Sequence, residues 1–254
     1  MSFVRSERRG EVALVTLDRP RANAFTPEFV EELRQAVREA GDARGLVFAS
    51  SLPTFFSGGW DLPYLVSRSE EEFPGFVDSF CALVREIFAY GGPVIAALPG
   101  HAIAGGLIVA AAADERIAAQ GRGEFGLSEV ALGVPVPAAC LEIFRHVLGP
   151  RGMERLAVTG ENLPLDRAIE VGLIDRAVPA EELLDSALER AQTLASRSPV
   201  AHAEIKRRAR AAALARFDQA GLGDPFLKYW GSADAQGRIH ALIERLTAKR
   251  EAAS

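Results

Sequence analysis

The sequence predicts an α/β fold, and three features carry that prediction. Short apolar, β-branched runs recur along the first half of the chain, helical stripes separate them, and glycine or proline marks the joins. Val12-Ala13-Leu14-Val15-Thr16-Leu17 reads as a strand closed by Asp18-Arg19-Pro20. Thr26-Pro27-Glu28 opens a helix with a capping hydroxyl, a first-turn proline and an acid at the positive end. Phe29, Val30, Leu33, Ala36, Val37 and Ala40 then repeat at helical spacing, and Gly41 stops the run. Gly45-Leu46-Val47-Phe48-Ala49 is a short buried strand. Phe73, Phe76, Val77, Phe80, Leu83, Val84, Ile87 and Phe88 form the clearest amphipathic stripe. Gly91-Gly92-Pro93 ends it, and Val94-Ile95-Ala96-Ala97-Leu98 is the next strand.

From about Gly149 the strand signals fade. Helical patterns cover Arg151–Val158, Asp166–Val171 and Ala180–Arg197; Pro199 opens a long basic helix, and Asp234–Arg250 reads as the last. The expected division is an α/β core over residues 1–195 and a helical C-terminal region over 196–254. Apolar positions in that tail (Phe217, Phe226, Leu227, Tyr229 and Trp230) exceed what a solvated appendage should show, which argues for an oligomer.

The 254 residues carry 29 basic and 34 acidic side chains, a net charge of −5. That balance is unsuited to neutralising a phosphate backbone, so no nucleic-acid partner is expected. The N-terminal residues lack a secretory h-region, and the longest uncharged apolar stretch, Ala102 to Ala113, falls short of the roughly 20 residues that cross a bilayer. A cytoplasmic protein without membrane contact is expected. Cys81 and Cys140 read as small core residues of a reducing compartment. The four histidines show no metal-ligand spacing, so no metal is expected. Lys206-Arg207-Arg208-Ala209-Arg210 reads as a solvated helix face, with contact to a ligand phosphate as the lesser alternative.

Three segments stand apart from plain core and plain surface. In Phe55-Phe56-Ser57-Gly58-Gly59-Trp60-Asp61-Leu62, paired glycines let backbone N–H groups approach a ligand, although glycine pairs alone favour the plainer reading of a tight turn. Asp61 either orients this loop or caps the next helix. In Pro99-Gly100-His101-Ala102-Ile103-Ala104-Gly105-Gly106-Leu107-Ile108, small residues lead into a helix apolar on every side, whose first N–H groups suit a developing anion. Close helix packing is the plainer account of its glycines. In Glu124-Phe125-Gly126-Leu127-Ser128-Glu129-Val130, a glutamate sits among apolar neighbours; facing a dry pocket, it would be made a usable proton carrier by desolvation, although a lone glutamate is more often exposed or ion-paired. Neither a G-x-G-x-x-G, a P-loop nor a G-x-S-x-G elbow is present.

Together these segments resemble the crotonase superfamily, the enoyl-CoA hydratase/isomerase family. So do Asp18-Arg19-Pro20-Arg21-Ala22-Asn23-Ala24-Phe25, Gly149-Pro150-Arg151-Gly152-Met153-Glu154-Arg155-Leu156 and Ala168-Ile169-Glu170-Val171-Gly172-Leu173-Ile174-Asp175. The resemblance implies a spiral of ββα units, a C-terminal helical trimerisation region and a homo-trimer or hexamer. It also implies an acyl-CoA thioester as substrate, with no cofactor beyond the coenzyme A of that substrate. By position, the backbone N–H groups of Trp60 and Gly105 would form an oxyanion hole, and the large Trp60 side chain would shape the pocket. Ala22, Ala24 and Gly58 match CoA-binding positions; Asp61, Leu62, Ile103, Ala104 and Ser128 fall beside the same site. Glu129 matches one of two glutamates of family hydratases, whereas Ile108 stands where the other would be. A single carboxylate suits moving a double bond from the 3 to the 2 position of an enoyl chain, as mitochondrial-type 3-enoyl to 2-enoyl-CoA isomerases do. The alternatives are an enoyl-CoA hydratase or related lyase, and a non-catalytic acyl-CoA-binding homologue.

Overall fold

The structure, a computed structural model, describes residues 2–68, 72–221 and 224–251. The chain opens on a hairpin in which β1 (Val4–Arg9) turns at Gly10 (φ 65°) into β2 (Val12–Leu17). Helix α1 (Pro27–Glu39) follows, its first turn capped by Thr26 Oγ1, which accepts from the Phe29 N–H at 3.4 Å. Next come β3 (Gly45–Ser50), β4 (Phe55–Ser57), α2 (Leu62–Val66) and α3 (Phe73–Ala89). The pattern repeats as β5 (Val94–Leu98), β6 (His101–Ile103) and α4 (Gly105–Ala111), then as β7 (Glu115–Ala119), β8 (Glu124–Gly126) and α5 (Ala138–Thr159). The chain continues through β9 (Asn162–Pro164), α6 (Leu165–Glu170), β10 (Arg176–Val178) and α7 (Leu183–Ala195), and closes with α8 (Pro199–Gly221), α9 (Phe226–Trp230) and α10 (Ala233–Glu251).

Two sheets arise from this repetition. The larger runs β1-β2-β3-β5-β7-β10 and the smaller β4-β6-β8-β9. In three successive units the first strand joins the larger sheet and the second joins the smaller, before a helix returns the chain. The units β3–β4, β5–β6 and β7–β8 therefore wind as a spiral of ββα steps. All larger-sheet pairs from β2 onward are parallel, so both faces need covering. Val12, Leu14, Val47, Ile95 and Ile117 pack against α7 on one face; Val15, Leu46, Phe48 and Ala96 point to the main core.

The sequence expectation of strands fading after Gly149 is corrected by β9 and β10. Each is three residues long and lies at a sheet edge, too short to show an alternating pattern. Helix α5 begins at Ala138 rather than Arg151, and Gly149 (φ 71°, ψ 170°), followed by Pro150, breaks its regularity. The basic run on α8 is only half solvated. Arg207 and Arg208 pair with Glu204 at the surface, but Lys206 and Arg210 are buried and grip Asp114 at 2.7 and 2.8 Å. Burial pushes the Lys206 ammonium down to about 8, against the opposing pull of Asp114. Three of the apolar tail residues, Phe217, Phe226 and Trp230, are buried within the protomer itself, while Leu227 and Tyr229 remain exposed. Cys140 is buried, and its Sγ lies 4.0 Å from that of the half-buried Cys81. Among the described residues, no helix is long and apolar enough to cross a membrane.

Candidate active site

Three loops that follow strands of the smaller sheet, together with the turn after β2, carry the candidate site residues. That turn carries two non-glycine residues with positive φ, Arg21 (78°) and Asn23 (47°). Such geometry persists only where surroundings enforce it. Here the fully buried Asn23 does so. Its amide donates to Ser50 Oγ (2.8 Å) and the Phe56 carbonyl (3.0 Å), and its Oδ1 accepts from the Arg19 N–H (2.7 Å). Ala22 and Gly58 are joined directly, the Gly58 N–H donating to the Ala22 carbonyl at 2.8 Å. The guanidinium of Arg19 donates to the Ala24 carbonyl (2.8 Å) and to Asp61 (2.7 Å). Asp61 also caps α2, accepting from the Tyr64 N–H at 3.1 Å. The positions matched to CoA contacts are thus one hydrogen-bonded unit, with Leu62 opening α2 at its edge.

Phe25 and Trp60 form a parallel bridge in which the Phe25 N–H donates to the Gly59 carbonyl and the Asp61 N–H donates to the Phe25 carbonyl. Because adjacent amides of an extended chain point opposite ways, this turns the Trp60 N–H to the other side. Gly59 (φ 90°) abuts the next loop: a Cβ there would lie 3.0 Å from the Ile103 carbonyl and 3.3 Å from the Gly105 nitrogen. Ala104 has φ 51° and ψ −124°, a strained turn held by β6–β8 pairing and by its N–H donating to the Gly126 carbonyl at 2.8 Å. The turn swings the chain into α4 and leaves the Gly105 N–H at its start. Among the described residues, neither the Trp60 nor the Gly105 N–H is donated within the chain. The Trp60 ring also leans on this turn, since a Cβ on Gly105 would lie 2.9 Å from its Cδ1.

Glu129 enters from β8. Gly126 pairs with Ile103, and three residues later a 3-10 turn over Glu129–Leu132, preceded by Ser128, carries the glutamate inward. Glu129 is 7% exposed, and its Oε2 has no hydrogen-bond partner. Desolvation pushes its carboxyl up to about 7, with a backbone hydrogen bond opposing. The turn ends at Gly133 (φ 73°), which α10 abuts: a Cβ there would lie 2.7 Å from Asp234 Oδ2. Ile108 is buried on α4, a helix with no ionisable side chain. Asn23 and Arg19, which organise the first loop, do not stand out in the sequence. The only signal for them is a polar pair within the Asp18–Phe25 motif. Among the described residues, no group of three or more metal-ligating side chains is present.

A two-sheet spiral of ββα steps, with two undonated amides on adjoining loops and a buried, unpartnered carboxyl oxygen, defines a class of protein rather than one reaction. The chain belongs to the enoyl-CoA hydratase/isomerase family, the crotonase superfamily, whose family model matches residues 7–246. It is 33% identical over 204 residues to the carnitinyl-CoA dehydratase of Salmonella agona, covering 78% of this chain and 77% of that one. Its structure resembles human mitochondrial delta3-delta2-enoyl-CoA isomerase with a TM-score of 0.91 at 26% identity, over 97% and 99% of the two chains. It also resembles a probable enoyl-CoA hydratase from Mycobacterium tuberculosis with a TM-score of 0.82 at 29% identity, over 87% and 94%. The expected family and fold class are therefore met, and enzymes of both reaction types are among the relatives.

Proposed function

We propose that the protein is an enoyl-CoA isomerase that converts 3-enoyl-CoA to 2-enoyl-CoA with Glu129 as its one proton carrier. The observation behind this is a buried carboxyl with one unpartnered oxygen, pushed up to about 7, with Ile108 in place of a second acid; Glu142, also buried, is ion-paired with Arg145 and Arg216. The thioester carbonyl oxygen accepts from the N–H groups of Trp60 and Gly105. Ionised Glu129 removes a proton from C2, and the electron pair of that C–H bond moves toward the thioester carbonyl, forming a C1=C2 bond as the carbonyl π pair passes to oxygen. The resulting dienolate carries its charge on the oxygen held by the two amides, an arrangement that lowers such barriers by several kcal/mol. Neutral Glu129 then returns the proton at C4, and the double bond lies between C2 and C3. A carboxyl near 7 serves both halves, because it is neither too weak a base nor too weak an acid at neutral pH.

Ala22, Ala24 and Gly58 would hold the CoA portion through backbone groups, with Asp61, Leu62, Ile103, Ala104 and Ser128 around the acyl end. No cofactor beyond the substrate's CoA is needed for this chemistry. A trimer or hexamer is part of the reading, with exposed Leu227 and Tyr229 of α9 as candidate contact residues. The second reading is a hydratase or dehydratase, favoured by the 33% identity to a carnitinyl-CoA dehydratase. A panel of 3-enoyl and 2-enoyl thioesters, scored separately for isomerisation and hydration, decides between them. Efficient hydration with negligible isomerisation by the unmodified protein sinks the isomerase reading.

A further inference from the structure

The Trp60 side chain does something its backbone role does not require. Its pyrrole edge lies against the start of α4: Cδ1 and Nε1 stand 2.9 and 3.1 Å from where a Cβ on Gly105 would be. The rest of the ring is boxed in. Phe76, Phe80 and Phe226 meet it edge-on at centroid distances of 5.0, 5.4 and 5.5 Å, and Phe73 and Trp230 close the remaining sides at 6.0 and 6.2 Å. Phe73 and Trp230 are themselves stacked at 4.3 Å with 17° between planes. These rings come from two different helices, α3 and α9, so a swing of the indole would disturb both. Nε1 is buried with no hydrogen-bond partner, and T-shaped ring contacts of this kind favour one fixed indole orientation.

We propose that Trp60, backed by Phe73, Phe76, Phe80, Phe226 and Trp230, walls off the acyl pocket beside Gly105, so that the protein accepts short acyl-CoA thioesters and excludes long linear ones. This rests on the acyl-CoA reading above, in which the thioester carbonyl lies between the Trp60 and Gly105 amides. On that reading, the indole edge packed on Gly105 stands beside the held carbonyl, where it would block a long chain. In a pocket open to the chain, each added methylene tightens binding roughly fourfold through burial. A wall ends that gain after the first few carbons.

The test is the dissociation constant of each saturated thioester from butyryl-CoA to palmitoyl-CoA, which reports binding whether the enzyme isomerises or hydrates. For the unmodified protein, affinity is expected to stop rising beyond hexanoyl-CoA and to fall at least tenfold by palmitoyl-CoA. Trp60→Ala should move the limit outward, tightening decanoyl-CoA relative to butyryl-CoA by tenfold or more. Trp230→Ala, which loosens the backing while leaving the indole, should shift the limit the same way by a smaller factor and serves if Trp60→Ala does not fold. Affinity that climbs steadily to palmitoyl-CoA in the unmodified protein overturns the proposal, as does a chain-length profile unmoved in the folded variants. Both outcomes leave the acyl-CoA reading standing. Failure of every thioester to bind overturns that reading together with this one.

Discussion

The two working parts of the site are built in opposite ways. The loop around Arg19 and Asp61 is cross-tied by hydrogen bonds: the Asn23 side chain makes three, Arg19 grips Ala24 and Asp61, and Ser57 Oγ donates to the Asn23 carbonyl at 2.8 Å. Glu129, by contrast, has an oxygen with no partner and a carboxyl raised by burial alone. The contrast follows from the work each part would do. Amides that receive a developing charge are useful only if fixed beforehand, whereas a proton carrier must exist in two protonation states and is hampered by bonds that favour one.

That comparison can be broken most forcefully at Glu129. Glu129→Gln keeps shape but cannot accept a proton, so isomerisation should fall by about 100- to 10,000-fold while thioester binding survives. Full turnover in the variant would remove the carboxyl from the mechanism. Gly105→Val tests the fixed side. Its Cβ would lie within 2.9 Å of Trp60 Cδ1 and 3.2 Å of Phe80 Cζ, so the turn must shift. Loss of one oxyanion donor costs on the order of 100- to 1,000-fold in rate. A folded Gly105→Val protein with normal kcat would contradict the hole assignment.

Arg19→Met should have a smaller effect, because it releases Ala24 and Asp61 without touching an amide donor. A displacement of about 1 Å can cost on the order of 100-fold, so a partial loosening should cost less, mainly in KM. An unchanged KM would mean that the loop holds its shape without the guanidinium. The pH dependence of stability sharpens the other side. Glu129 titrates near 7 when folded, against an ordinary value of 4.5. The folded state therefore holds the proton more tightly, and stability falls as pH rises between 4.5 and 7. The loss is about 3 kcal/mol, because each tenfold gain in proton affinity on folding is worth about 1.4 kcal/mol. Urea unfolding at pH 4.5 and 8 should show this loss in the unmodified protein and a smaller one in Glu129→Gln. Equal slopes in the two proteins would argue that the Glu129 carboxyl is not raised on folding.

How much of this was legible in the sequence varies with the range of the cause. The strand at Val12, the cap at Thr26 and the stripe from Phe73 to Phe88 are local patterns, and the structure follows them closely. Strands β9 and β10 were not legible because three residues at a sheet edge owe their conformation to the neighbouring strand. The helix from Ala138 was hidden behind the Gly149 break. At the site, resemblance to a family pointed to Trp60, Gly105 and Glu129, and composition alone ranked none of them. The roles of Asn23 and Arg19 depend on partners tens of residues away, Phe56 and Asp61, which only the folded chain brings close. The buried half of the basic run escapes sequence reading for the same reason, its partner Asp114 lying far upstream on another element.

That last ion group also bears on the order in which the protein can mature. Asp114 ends the turn from α4 into β7 and takes Lys206, Arg210 and the Val94 N–H as partners. Synthesis delivers Asp114 first and its two cations 92 residues or more later. A chain that stops short of α8 therefore holds Asp114 without its two cations. The ion group is complete only once α8 is in place, and it ties that helix to the turn between α4 and β7.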